Sequence, residues 1–147
     1  MIVRAPQGED EITSVIISMY QEMQSDLLPT LANARVIAGI CIQNPATLIA
    51  IDYESKGDTV GGIFVSDSNS GALRYRHPIA MGWGIWIRED YRGSGLAQRL
   101  MVKSKDILRE MGVTKIVGQA RLANKASRIL MRHMGFREDP EMLIHHF

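Results

Sequence analysis

A single cysteine, Cys41, gives the chain no internal disulfide, which suits a reducing compartment. It stands between Ile40 and Ile42, the setting of a buried, inert thiol. No apolar run reaches the roughly 20 residues that a membrane-spanning helix needs. The opening Met1-Ile2-Val3-Arg4-Ala5-Pro6 is not a secretory signal. Charge of one sign is also missing: a formal net charge of +1 supplies no field to draw the chain to nucleic acid or an anionic membrane. Repeats and low-complexity stretches are absent, and His133, His145 and His146 lack metal-ligand spacing, so no metal is expected. What is present is 147 residues, 46% of them hydrophobic. That is the size and composition of one globular domain, 1–147, with a single core. The expected location is cytoplasmic.

Hydrophobic periodicity orders the chain. Ile2 to Ala5 reads as a first strand. The acidic run Glu9-Asp10-Glu11 suits a helix N-terminus. Ile12, Val15, Ile16, Met19, Tyr20 and Met23 then recur at helical spacing to about Asp26. A second helix is predicted from about Ala34 to Gln43, carrying Val36, Ile37, Ile40 and Cys41, and Asn44-Pro45 ends it. Thr47–Tyr53 and Thr59–Val65 are strands joined by the turn Ser55-Lys56-Gly57-Asp58, an antiparallel hairpin. Ser66 to Gly71 is a polar loop, and Leu73–His77 reads either as strand or as irregular chain. Ile79–Ile87 is a strand whose Gly82 and Gly84 suggest a bulge or a close approach to the backbone. A helix from about Ser94 ends at Gly112. Val113–Ala120, a short helix Asn124–His133 and a last strand Met142–Phe147 complete an α/β (α+β) pattern, with a mixed sheet of six or seven strands flanked by about four helices.

The chemistry concentrates where Ile79–Ile87 runs into Arg92-Gly93-Ser94-Gly95 and the next helix. Glycines let the backbone turn sharply and come close to a bound group. The helix N-terminus offers free N–H groups and a positive dipole end to an anion, above all a phosphate. Arg92 adds a forked cation. Read alone, Gly93 and Gly95 fit either a plain strand-to-helix turn or a diphosphate cradle. A Walker loop is excluded because no Lys follows Gly95. The dinucleotide fingerprint fails because Gln98 holds the place of its third small residue.

Arg92-x-x-Gly95-x-Ala97, preceded by Ile87 and Tyr91, resembles the coenzyme A loop of the GNAT family of N-acetyltransferases. So does Asn124-Lys125-Ala126-Ser127 to Leu130 followed by Met134-Gly135-Phe136, at the family's spacing, and the element order agrees. The resemblance implies a GNAT-like acyl-CoA N-acyltransferase fold whose fourth and fifth strands splay into a V-shaped cleft. It implies that acetyl-CoA is the co-substrate. Backbone groups of Ile85, Trp86 and Ile87 would carry the pantetheine arm as if it were a strand. Arg92, Gly93, Ser94, Gly95, Leu96 and Ala97 would hold the pyrophosphate, and Asn124 would contact the cofactor near its pantetheine end. Asn124 also suits a plain helix N-cap. The acceptor would be a small-molecule amine or a protein amino group, and a homodimer is compatible with the family.

The sequence departs from the family pattern at Met131. A Tyr often stands there to protonate the leaving thiolate, and methionine has no proton to give. By spacing, Met131 falls two helical turns after Asn124 and should face the cleft. No general base is evident either. Met81-Gly82-Trp83-Gly84-Ile85 carries no titratable group, and the weak candidates are Glu54, His77 and Gln119, beside Asp52 on the hairpin. Arg74, Arg76 and His77 would suit an acidic acceptor. Three functions compete: an N-acyltransferase, a non-catalytic acyl-CoA binder and a nucleotide-binding domain. The last is disfavoured by the two failed fingerprints.

Overall fold

The computed structural model describes residues 1–22, 31–67, 79–118 and 125–137. Among them one sheet runs in the order β1 (Ile2–Arg4), β2 (Leu48–Asp52), β3 (Asp58–Asp67), β4 (Ile79–Ile87) and β5 (Lys115–Gly118). The first four strands pair antiparallel, and β5 adds parallel to β4. That parallel step requires a crossover, and helix α3 (Leu96–Glu110) makes it. Helices α1 (Glu9–Glu22) and α2 (Leu31–Cys41) cover one face, while α3 and α4 (Lys125–His133) cover the other.

The central strand explains the layering. From Val60 to Ser66 every β3 residue is buried, as expected for a strand covered on both sides. Its side chains go to both faces. Phe64 joins Ile12, Ile16, Met19 and Trp86 under α1 and α2. Ile63 and Val65 join Leu96, Leu100, Met101 and Leu108 under α3, where Leu130, Met134 and Phe136 also pack. Two buried hydroxyls bridge neighbouring segments. Thr47 Oγ1 donates to Val65 O at 2.8 Å and accepts from Val65 N at 3.0 Å. Ser104 of α3 donates to Ala46 O at 2.7 Å.

Several boundaries differ from the sequence reading. Helix α2 begins at Leu31, and its inner face is the small-residue stripe Ala34, Ala38 and Cys41, whereas Val36 is 61% exposed. Small side chains let α2 lie close on α1. Cys41 is fully buried, as expected, and burial pushes its thiol up to about 12. Helix α3 starts at Leu96, not Ser94, because Gly95 takes a left-handed conformation (φ 82°) at the N-cap. Strand β5 starts two residues later than expected. Val113 is consumed in closing α3, with Val113 N donating to Leu108 O and Gly112 N to Arg109 O, a Schellman arrangement with an apolar C″ contact. The expected strand Met142–Phe147, the Leu73–His77 stretch and the end of the first helix past Glu22 lie outside the described residues.

Candidate functional site

Strand β4 carries the site, and its hydrogen-bond phase follows from one contact. Arg88 N donates to Val60 O at 2.8 Å, which makes Gly61↔Ile87 a non-hydrogen-bonded pair. The N–H and C=O of Ile87 therefore turn away from β3, and two residues back those of Ile85, opposite Ile63, do the same. On that side the described rungs between β4 and β5 end at Gly82↔Gly118. Beyond this rung no described residue pairs with β4 on that side.

A bulge sits next to this rung. Phe64 pairs with Gly84 and Val65 with Gly82, so Trp83 is the extra residue. Trp83 and Gly84 consequently lie on the same face. The Trp83 indole donates to Ser66 Oγ at 2.7 Å. A Cβ on Gly84 would stand 2.7 Å from Met19 Sδ, so α1 passes directly over the strand. The glycine signal thus marked both a bulge and a close approach. Across the last rung, the Met131 methyl lies 3.1 Å from where Gly118 would carry a Cβ. Met131 of α4 therefore packs on the last described residue of β5.

At its far end β4 leads through a 3-10 turn, Glu89–Tyr91, into the glycine loop. The turn is braced by the β2–β3 hairpin. Tyr91 OH donates to the Asp52 carboxylate, and Arg88 pairs with Asp90 at 2.7 Å and Asp58 at 3.7 Å. The Tyr91 hydroxyl first, helped by the Glu54 N–H, holds the Asp52 carboxyl below its ordinary range, and Arg88 does the same for Asp90. Ser94 Oγ donates to Tyr91 O at 2.5 Å. Gly93 and Gly95 have φ of 77° and 82°, and a Cβ on either would meet nothing within 4 Å. Backbone conformation, not crowding, makes them glycines. The first bond of α3 runs from Arg99 N to Gly95 O at 3.1 Å, so the N–H groups of Leu96, Ala97 and Gln98 have no acceptor within the helix. The Leu96 side chain is buried and contributes only its backbone to this N-terminus.

Arg92 does not project from the loop. Its Nε donates to Ile87 O at 2.9 Å, and its guanidinium pairs with Glu22 at the end of α1. The same Glu22 oxygen accepts the Trp86 indole N–H at 2.9 Å. Trp86 is thus placed with its side chain under α1, and only its backbone stays in the strand. Glu22 and Met19 were missed in the sequence. They lie one turn apart on α1, but Glu22 and Arg92 are 70 positions apart, and no local pattern joins them.

Of the base candidates, Glu54 is exposed on the hairpin turn at the loop end of the sheet, away from the Trp83 bulge. His77, Gln119 and Asn124 lie outside the described residues, as do Arg74 and Arg76. Among the described residues no group of three His, Cys, Asp or Glu could hold a metal, and no helix is long and apolar enough to cross a membrane.

The described fold has solved counterparts. The NatC complex bound to Gag peptide and CoA superposes with a TM-score of 0.77 at 18% identity, covering 94% of this chain and 85% of that one. AAC(6')-Iy in complex with a CoA-S-monomethyl-acetylneamine bisubstrate analog gives 0.68 at 16% identity, over 93% and 90%. The aminoglycoside antibiotic 6'-N-acetyltransferase AAC(6')-IG from Acinetobacter haemolyticus gives 0.64 at 18%, over 94% and 92%. At these identities the likeness establishes the fold. No curated protein matches the sequence. A model of the acetyltransferase (GNAT) family matches residues 12–136, from within α1 to just past α4. By that match the chain belongs to the GNAT family of acetyltransferases.

Proposed function

We propose that the protein is an acyl-CoA-dependent N-acyltransferase that moves an acetyl group from acetyl-CoA to a primary amine, on a small molecule or a protein. One observation carries this reading: among the described residues nothing pairs with β4 at Ile85 and Ile87 on the β5 side, and the strand runs directly into a helix N-terminus with no side-chain cap. An acylated pantetheine arm is an extended, amide-bearing chain. It can pair with such an edge as a strand does, while its diphosphate meets the N–H groups from Gly93 to Gln98. The two functions of the ligand are matched end to end.

In the reaction the amine nitrogen attacks the thioester carbonyl carbon. The N–C bond forms, the C–S bond breaks, and CoA leaves as its thiolate while the amine gives up a proton. Backbone N–H groups of β4 polarise the carbonyl. An alkylamine of pKa ~10.4 holds only about one molecule in two thousand neutral at pH 7, so deprotonation is a real demand. His77 remains the candidate base for it, with Gln119 able to orient a water that carries the proton away, since Glu54 sits at the diphosphate end. Met131 supplies no proton, but a thiol of pKa about 8.5 makes a fair leaving group.

Met131 also favours a second reading, an acyl-CoA binder without turnover. Two measurements separate the possibilities. Calorimetry with CoA reports binding, and CoA release with a panel of amines reports catalysis. Tight binding with turnover supports the transferase. Binding without turnover supports the binder, and absence of binding refutes both.

A further inference from the structure

Glu22 ends α1 beside the start of the glycine loop, where its carboxylate meets two donors. Met19, one turn earlier, is seated on Gly84, so the end of α1 is fixed along β4. There one Glu22 oxygen accepts both the Trp86 indole and the Arg92 guanidinium. Trp86 is 8% exposed, and its buried N–H needs an acceptor. A neutral amide oxygen would meet that need equally well. The negative charge therefore acts chiefly on Arg92, the residue that opens the glycine loop. Arg92 is held on its other side by Ile87 O, one of the groups turned away from β3, so its cation stands where arm and diphosphate meet.

We propose that Glu22 is an affinity brake on the CoA site: its carboxylate offsets Arg92, so that the loop presents the diphosphate with a nearly neutral pair rather than a free cation. This rests on the CoA reading of the cleft. Arg92 and Glu22 keep side-chain exposures of 51% and 42%, so the pair is open to solvent and to a ligand. A diphosphate on the loop N–H groups would share Arg92 with Glu22, and the two anions would repel. Weakened diphosphate binding speeds the departure of spent CoA, which an enzyme needs once per turnover.

The test is calorimetry on the full chain, parent and Glu22→Gln, with CoA and, by displacement, with S-acetylpantetheine, which lacks the diphosphate. Removing one charge this close to a phosphate should tighten CoA binding roughly 3- to 10-fold at low salt. The gain should shrink as salt screens it, and S-acetylpantetheine should bind both proteins alike. Glu22→Ala, which also removes the hydrogen bonds, should still bind CoA more tightly and serves if Glu22→Gln does not fold. CoA affinity that is unchanged or weaker in the folded variant overturns the brake. An equal gain for S-acetylpantetheine also overturns it, because that would mean a reshaped cleft. A parent that binds neither probe overturns the CoA reading, and the brake with it.

Discussion

Gly84→Ala should destabilise the protein through a single contact, and that contact can be isolated. The added Cβ would lie 2.7 Å from Met19 Sδ and 3.0 Å from Met19 Cε, against about 3.5–4.0 Å for a comfortable contact. Something must therefore move by close to 1 Å. Met19 is 5% exposed, so its side chain has little room to yield. Overpacking of this kind costs about 1–3 kcal/mol. Alanine in a strand interior regains roughly 0.5–1 kcal/mol over glycine, leaving a net loss of about 0–2.5 kcal/mol. Met19→Ala alone should cost about 2–5 kcal/mol, as a buried large-to-small change does. In the Met19→Ala background the clash is gone, so Gly84→Ala should become neutral or stabilising. The coupling energy between the two sites should thus be about 1–3 kcal/mol, which is the clash itself. Urea unfolding of the four proteins measures it, provided the denaturant slope stays constant. If Gly84→Ala costs the same in both backgrounds, α1 does not ride on β4 as described, and the placement of Glu22 loses its support.

Other expectations follow from the loop, Met131 and the core. Gly95→Glu forces a side chain into a left-handed conformation and sets a carboxylate at the helix N-terminus. It should abolish CoA binding in calorimetry while the protein stays folded, and unchanged affinity would remove the loop from the site. Met131→Ala should lower turnover only modestly, and Met131→Tyr should raise it near neutral pH. CoA release across about pH 6–9 reports both, and a collapse with Met131→Ala at intact CoA affinity would give Met131 a larger role. In Tyr91→Phe, Asp52 loses the bond that chiefly depresses it, so carboxyl NMR should show its titration moving up toward 3.8. Because the folded value is the lower one, the support Asp52 gives the loop is present above 3.8 and is lost as pH falls below it. Cys41, with a folded value of about 12, should resist thiol reagents at pH 8 and react at once in denaturant. Ready labelling of the native protein would contradict its burial.

The parts of this fold that were legible in the sequence are those fixed by short-range chemistry. Alternation and turn residues located the β2–β3 hairpin, and the glycines of Ile79–Ile87 announced a bulge that occurs at Trp83. Errors arose where two local preferences competed. Ser94 has the side chain of an N-cap, but its hydroxyl goes to Tyr91 O and the left-handed Gly95 sets the helix start. Val36 belongs to an apolar pattern, but α2 turns its alanines inward because they permit close helix packing. At the site, the Gly93–Ala97 loop could be read as a contiguous motif. The Glu22–Arg92–Trp86 cluster could not, because it exists only after α1 has docked on the sheet.

The pairing of β4 also gives the strand a split character along its length. By position it is interior, flanked by β3 and β5. Among the described residues, its second half has no pairing partner on the β5 side. Amide exchange should reveal this as an alternation of period two. The Trp86 N–H, turned toward Gly62 of β3, should be among the slowest in the molecule, and those of Ile85 and Ile87 should exchange far sooner. An unpaired strand edge recruits other chains, and here it belongs to a strand set between β3 and β5 rather than to the rim of the sheet. The same groups that make the strand able to bind an extended arm would make it prone to aggregation if they stood on the rim of the sheet.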